Sequence, residues 1–242
     1  MADLPESLPH GALQEIFPDI YTVTGQINVG PGGALAGSRN MTVVREDGKL
    51  TLINTLRLDA QGLLELEALG TVSNIVKLGS FHGRDDAFYV HRYPDAKVWA
   101  PPGMPHDLGV VTDRELGPES MPLSRTQSFV FATASNVEAI IRLDREGGIL
   151  VACDSLQNVE AFDEYYNEKA KVALAKFVGR ALIGLGWRNA AKPEASDFER
   201  ISAMQFQHLL PAHGTPLLHD AKSALQTSFA RVFGPGAEYP QP

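Results

Sequence analysis

Three segments of this sequence each place a potential metal ligand just after an apolar run with the composition of a buried β-strand. The ligands are two imidazoles and two carboxylates, at His82, Asp85, Asp154 and His213. If the three strands are neighbours, their carboxyl-terminal ends bring these side chains together, as is common in α/β proteins. Imidazole and carboxylate form a mixed donor set that suits zinc or another divalent first-row metal such as iron or manganese. The pattern therefore predicts a site for one divalent metal, provided that the strands are adjacent.

The first of these loops also carries the main alternative to a metal site. Arg84 precedes Asp85 in it, and a guanidinium can supply a metal's charge by pairing with a carboxylate through two hydrogen bonds. On that interpretation no metal is bound, and His82 and His213 hydrogen-bond the acids and hold the loops together. Asp86 is more typical of the first turn of a helix, where a carboxylate complements the helix dipole, than of a metal ligand. The residues alone leave both interpretations open.

A nucleophilic site is a weaker interpretation of the same region. Cys153 or Ser155 would act with one of the histidines, but Cys153 ends an apolar run, where a small buried thiol is common. Ser155 suits a turn or a helix cap. The glycine-rich stretch at 30–37 lacks the Gly-Lys-Ser/Thr ending of a phosphate-binding loop, so it is interpreted as a connection. These features favour the metal site over either alternative.

The elements that must position these residues follow from apolar periodicity and turn signals. After a strand at 20–23 the predicted order is β-β-α-β-α-β, with strands at 41–45, 50–54, 74–78 and 97–100 and helices at 58–69 and 85–92. Asp47 and Gly48 predict a tight hairpin between the first two of these strands. The second half has strands at 128–132, 139–143 and 149–152, a helical pattern from 159 to about 185, a helix from 193 to about 205, and a final helix at 217–233.

Composition limits the class of protein. A chain of 242 residues fits one compact domain at 20–242, preceded by a proline-containing arm at 1–19. A formal charge of -8 disfavours a nucleic-acid or anionic-membrane partner. The N-terminus lacks the pattern of a secretory signal, no apolar run approaches roughly 20 residues, and the single Cys153 excludes an intrachain disulfide. We therefore expect a cytoplasmic protein with no nucleic-acid or membrane partner.

The segment 169–187 carries apolar residues among lysines and arginines at helical spacing. The simpler interpretation is an amphipathic helix packed on the domain. A sharper one is a lid or the surface of a homodimer. Trp187, at the end of the segment, is a candidate for the border of a pocket.

The order and spacing of the elements resemble the metallo-β-lactamase superfamily over nearly the whole chain from about Ile20. Ile53-Asn54-Thr55 resembles its early strand that ends in Asp-Thr or Asp-Ser, Cys153-Asp154 its bridging aspartate, and Pro211-Ala212-His213-Gly214 its final histidine. Neighbouring text, such as Tyr93-Pro94-Asp95-Ala96, resembles a bacterial branch with a degenerate metal loop. The resemblance implies an α/β fold, a four-layer αββα sandwich.

The metal loop departs from the superfamily pattern His-x-His-x-Asp-His. Laid over that pattern, the loop keeps His82, while Ser80, Arg84 and Asp85 replace a histidine, an aspartate and a histidine. The intermediate histidine of the family should fall near 133–136, where this sequence has none. The resemblance thus implies at most a reduced site, with one metal held by His82, Asp85, Asp154 and His213 and with Asp85 standing in for a histidine.

Two functions remain open at this stage. One is a hydrolase with a mononuclear site, acting on a small-molecule ester, lactone, thioester or phosphoester. The other is a catalytically silent protein that has lost its metal and binds a ligand or partner in the old cleft, with Arg84 supplying the charge. Metal content distinguishes the two.

Overall fold

Two β-sheets packed face to face form the centre of the fold in the computed structural model, which describes residues 4–235. The first sheet contains β1 (Gln14–Phe17), β2 (Ile20–Val29), β3 (Leu35–Glu46), β4 (Lys49–Ile53), β5 (Thr71–Val76), β6 (Lys97–Ala100) and β7 (Arg114–Glu115). The remaining strands are β8 (Thr126–Val130), β9 (Ala139–Leu143), β10 (Ile149–Ala152), β11 (Leu156–Val159), β12 (Gly179–Ile183) and β13 (His208–Pro211). Of these, β13, β10, β9 and β8 form the second sheet in that order, and β11 pairs with β12.

Strand direction changes within each sheet. In the first sheet β1 to β4 are antiparallel and β4 to β7 are parallel. The predicted hairpin joins β3 to β4, and Asp47 and Gly48 both adopt the positive φ that its tight turn requires, at 51° and 72°. In the second sheet β10 is antiparallel to β9 and parallel to β13. This parallel pair positions the candidate site.

Helices cover the outer face of each sheet, and one more helix contacts β3. They are α1 (Ala60–Leu69), α2 (Asp86–Arg92), α3 (Glu168–Leu174), α4 (Leu185–Ala191), α5 (Ala195–Ala203) and α6 (Ala221–Phe233). Within residues 4–235, none of them has both the length and the apolar character needed to cross a membrane.

Side-chain alternation along β10 explains the layers. Ile149 and Val151 pack between the sheets, in a cluster that includes Val76 of the first sheet. Leu150 faces the other way, into a cluster with Phe198 of α5. A third cluster packs α1 and α2 on the far face of the first sheet. The predicted four-layer αββα sandwich is confirmed.

Two expectations need correction. The segment 159–185 is not one helix: it contains α3, a short 3-10 turn at Ala175–Phe177, and strand β12. Its last part pairs with β11, so tertiary pairing overrides the helical pattern of the sequence. The predicted arm contributes an edge strand, β1. Residues 1–3 of that arm and 236–242 of the predicted domain lie outside the described part of the chain.

Asp197 of α5 connects the segment after β8 to the helix layer through hydrogen bonds. Loss of these bonds should lower the stability of the fold. The buried Asp197 carboxylate accepts hydrogen bonds from Ala132 N (3.1 Å), Thr133 N (3.0 Å) and Thr133 Oγ1 (2.6 Å). Asp197→Ala leaves these donors without an acceptor, so we expect a loss of about 2–3 kcal/mol in the free energy of unfolding at pH 7. Urea titration measures it, and Glu199→Ala, an exposed position on the same helix, serves as the control.

The pH dependence of this loss follows from the pKa of Asp197. Burial raises that pKa, but the hydrogen bonds from Thr133 and Ala132 outweigh burial and lower it below its ordinary value. The unfolded chain then binds a proton at higher pH than the folded one, so the stabilisation is complete above about pH 4 and is lost on further acidification. We expect the gap between wild type and Asp197→Ala to narrow below pH 4. Equal stability of the Asp197→Ala and Glu199→Ala variants at pH 7 would contradict the assignment.

Candidate metal centre

Asp154 and His213 come from the ends of the two parallel strands β10 and β13. Ala152, the last residue of β10, pairs with Pro211, the last residue of β13. Asp154 and His213 each lie two residues beyond these strand ends. The chain folds this way because both runs are fully buried. The adjacency that the sequence analysis had to assume is therefore present for this pair.

His82 reaches the same place from the first sheet. The loop after β5 is tied to the start of β9, because Ala139 N donates to Leu78 O (2.8 Å) and Ser80 Oγ to Val137 O (2.8 Å). Gly79 makes this close approach possible, since a Cβ at that position would lie 2.6 Å from Cys153 Sγ. The loop thus brings the His82 side chain over the ends of β10 and β13.

The three side chains converge on one point. His82 Nε2 lies 3.1 Å from His213 Nε2 and 3.4 Å from Asp154 Oδ2, and His213 Nε2 lies 3.1 Å from Asp154 Oδ1. Atoms that bind one tetrahedral zinc at about 2.0–2.2 Å are separated from each other by roughly 3.3–3.6 Å. The observed spacing is close to that range, so these residues fit a single metal ion.

Ser38 and Gly214 fix the orientation of the His213 ring. Its Nδ1 lies 3.0 Å from Ser38 O, so that a proton donated there leaves the Nε2 lone pair facing the cluster. Metal-binding histidines use this second nitrogen in the same way. Gly214 has a φ of +86°, and a Cβ there would lie 2.0 Å from Asn158 O. Only glycine lets the chain turn past Asn158 at this point.

Burial and the carboxylate set the charge of the cluster. Burial raises the pKa of Asp154, but His82 and His213 outweigh it and hold that pKa well below its ordinary value. Burial is also the main influence on the two imidazoles. It lowers the pKa of His82, whereas hydrogen bonding and charge from Asp154 overcome it and raise the pKa of His213. The Asp154 side chain is 13% exposed and that of His213 20% exposed, so both keep some contact with solvent.

Asp85 is not brought to this cluster. Its carboxylate is 1% exposed and pairs with the buried guanidinium of Arg39 and with Arg84 Nη1 (2.6 Å), and it accepts from Arg57 N (2.8 Å). The predicted pairing with Arg84 is thus present, but the buried cation is Arg39. Asp86 follows as the first residue of α2 and accepts from Thr55 Oγ1 (2.6 Å).

Glu138 is a neighbour of the cluster that the sequence analysis missed. Together with Cys153 and Asp154 it forms a second group whose candidate ligand atoms lie within 4.8 Å of one another. Glu138 Oε1 accepts from Ser155 N (2.6 Å), and no described residue hydrogen-bonds its Oε2. Burial and the Asp154 charge raise the pKa of Glu138 well above its usual range. A carboxyl that keeps its proton is a poorer metal ligand than the imidazoles.

The residues of the nucleophilic alternative are poorly suited to that role. Cys153 and Ser155 are both fully buried. Burial is the main cause that raises the pKa of the Cys153 thiol well above its ordinary value, and the thiolate is the reactive form. The cluster of His82, Asp154 and His213 remains the best candidate for chemistry.

Comparison with solved structures places this geometry in a known fold. No family model and no curated protein matches the sequence. The metallo-β-lactamase DIM-1, in a crystal exposed to ceftazidime, matches with a TM-score of 0.62 and 16% identity over 93% of this chain and 97% of its own. FIM-1 from Pseudomonas aeruginosa, in a mono-zinc form, matches with 0.58 and 13% over 94% and 98%. The metallo-β-lactamase from Hirschia baltica matches with 0.57 and 11% over 93% and 98%. The chain has the metallo-β-lactamase fold.

Proposed function

We propose that this protein is a metal-dependent hydrolase with a mononuclear site formed by His82, Asp154 and His213. The observation that carries the proposal is the convergence of two imidazole nitrogens and a carboxylate at 3.1–3.4 Å from one another, on a partly open surface. Three protein ligands with one open position are typical of catalytic zinc. Iron or manganese would suit the same donors.

The charges around the cluster support one metal rather than two. Asp85, which the sequence analysis included among the ligands, already has its charge compensated by Arg39 and Arg84. The segment at 133–136 supplies no histidine. FIM-1, which has the same fold, is described in a mono-zinc form.

Hydrolysis of a small ester, lactone, thioester or phosphoester fits this arrangement. A bound metal supplies Lewis acidity to a substrate oxygen or lowers the pKa of a water molecule. The chain's own residues orient the ligands: Ser38 O holds the His213 ring, and the backbone bonds of the loop at 78–80 hold His82. Asp154 and His213 both keep some contact with solvent, as a site for a small-molecule substrate requires.

Metal analysis of the protein purified without chelator tests the proposal. We expect close to one zinc, iron or manganese per chain in wild type and a large loss of metal in His213→Ala. His91→Ala is the matched control, because His91 is an exposed histidine on α2 and should leave the metal content unchanged.

Two results would contradict the proposal. Wild type without metal at micromolar affinity would favour the alternative, a catalytically silent protein that binds a ligand in the cleft. Full metal content in His213→Ala would place the metal elsewhere. Hydrolysis of a panel of small esters and thioesters by the metal-loaded protein, absent in His213→Ala, would support the enzymatic role.

A further inference from the structure

A small apolar cavity lies directly beside His213. Its volume is about 140 Å³, and apart from His213 and Gln157 its walls are apolar or aromatic: Val159, Phe162, Tyr166, Leu174 and Phe177. The residues come from β11, from the segment that follows it, and from α3 with the 3-10 turn after it. His213 borders both the cavity and the candidate metal centre, whereas His82 and Asp154 do not line the cavity.

The wall opposite β11 is held in place by contacts with β3. The ring of Tyr166 lies against the backbone of Gly37, where a Cβ would be 3.1 Å from Tyr166 Cε1. Asn167 N donates to Ala36 O (3.2 Å) and Asn167 Nδ2 to Ala34 O (3.1 Å). The cavity is therefore built by anchored segments rather than by a free loop.

Two contacts connect the cavity to the candidate metal centre. His213 lines it and carries one of the converging nitrogens. Gln157, which also lines the cavity, donates from Nε2 to the backbone oxygen of Asp154 (3.2 Å). A molecule bound at His213 therefore lies next to the cavity.

We infer that the cavity binds one phenyl-sized apolar group of the substrate, so that the preferred substrates are esters or thioesters carrying an aryl group or a short branched chain. This inference rests on the proposed function for the role of that group as part of a substrate. The size argument is independent of it: an apolar protein cavity of about 150 Å³ holds one benzene molecule. The aromatic walls favour a ring, because aromatic pairs gain from offset and edge-to-face packing.

Binding of a neutral probe tests the cavity without reference to catalysis. We expect chelator-treated protein to bind benzyl alcohol at least tenfold more tightly than ethanol, because each buried methylene is worth about fourfold in affinity. Leu174→Trp should fill the cavity and weaken benzyl alcohol binding at least about tenfold. Val172→Trp is the matched control: it lies on the same helix α3, is 81% exposed and should bind the probe like wild type. Ligand-detected NMR titration measures all three proteins.

Measurements of activity distinguish failure of the inference about the cavity from failure of the proposed function. The metal-loaded protein should hydrolyse methyl phenylacetate with kcat/KM at least tenfold above methyl acetate, and Leu174→Trp should remove the difference. Absence of metal or of hydrolysis, with probe binding intact, would overturn the proposed function but leave the cavity as a ligand site. Equal binding of benzyl alcohol and ethanol, or equal effects of the two tryptophan variants, would overturn the inference itself.

Discussion

Replacing Asp154 with asparagine is expected to remove the bound metal and to lower hydrolytic activity by more than about 100-fold. Groups that merely orient a metal ligand already contribute 10–100-fold to affinity or activity, so loss of a ligand's charge should cost more. The asparagine keeps the shape of the side chain, which separates the effect of charge from that of packing. Metal content and kcat/KM on the best ester of the panel are the measurements.

Asp144→Asn provides the control for this variant. Asp144 also follows a strand of the second sheet, but its side chain is 53% exposed and pairs with Arg125 and Arg142. It should retain wild-type metal and activity. Wild-type metal content in Asp154→Asn, with far-ultraviolet circular dichroism unchanged, would exclude Asp154 as a ligand.

Local sequence predicted the strands that hold the ligands, because buried strands have a continuous apolar and β-branched composition. The predicted range 149–152 coincides with β10, and the predicted range 74–78 overlaps β5. The positions of Asp154 and His213 at strand ends follow from the same signal. Their adjacency does not, since it depends on the pairing of β10 with β13 across more than fifty residues.

Arg39 and Glu138 were missed for a related reason. Each is a charged residue whose partner lies far away in sequence, so nothing near it identified its role. Arg39 lies outside the strand predicted at 41–45, between Ser38 and Asn40, so no apolar run marked it as buried. Arg84 drew attention instead because it is next to Asp85. Glu138 lies two residues after the range 133–136, where the family histidine was expected. Its burial comes from the contact between β9 and the loop after β5.

The helix predicted at 159–185 is wrong for the part of the chain that forms the wall of the cavity. Apolar residues there are shared between α3, the 3-10 turn and β12, each facing a different neighbour. A spacing produced by three short elements imitated one amphipathic helix. The homodimer surface was predicted on the assumption of one continuous helix, which this segment does not form. The homodimer stays a prediction.

Arg39→Met is expected to produce the largest loss of stability of any single change considered for this protein, about 3–5 kcal/mol. Arg39 and Asp85 are both nearly fully buried, with side chains 3% and 1% exposed. Burial lowers the pKa of Arg39 below its ordinary value and the charge of Asp85 opposes that shift, so the guanidinium depends on this partner to keep its charge. Without Arg39, the buried carboxylate retains only Arg84 as a cation and the amide of Arg57. For a chain of this length, the melting temperature should fall by about 6–20 °C.

A double-mutant cycle distinguishes loss of the ion pair from loss of packing. Asp85→Asn removes the charge but can still accept from Arg57 N, so adding it to Arg39→Met should recover part of the lost stability. Arg45→Met is the matched control on the same strand, β3, because Arg45 pairs with Asp19 on the surface, and its melting temperature should stay close to that of wild type. If Arg39→Met and Arg45→Met have the same melting temperature, the buried position of Asp85 does not depend on Arg39. Arg84 and the amide of Arg57 would then be sufficient to hold the buried carboxylate in place.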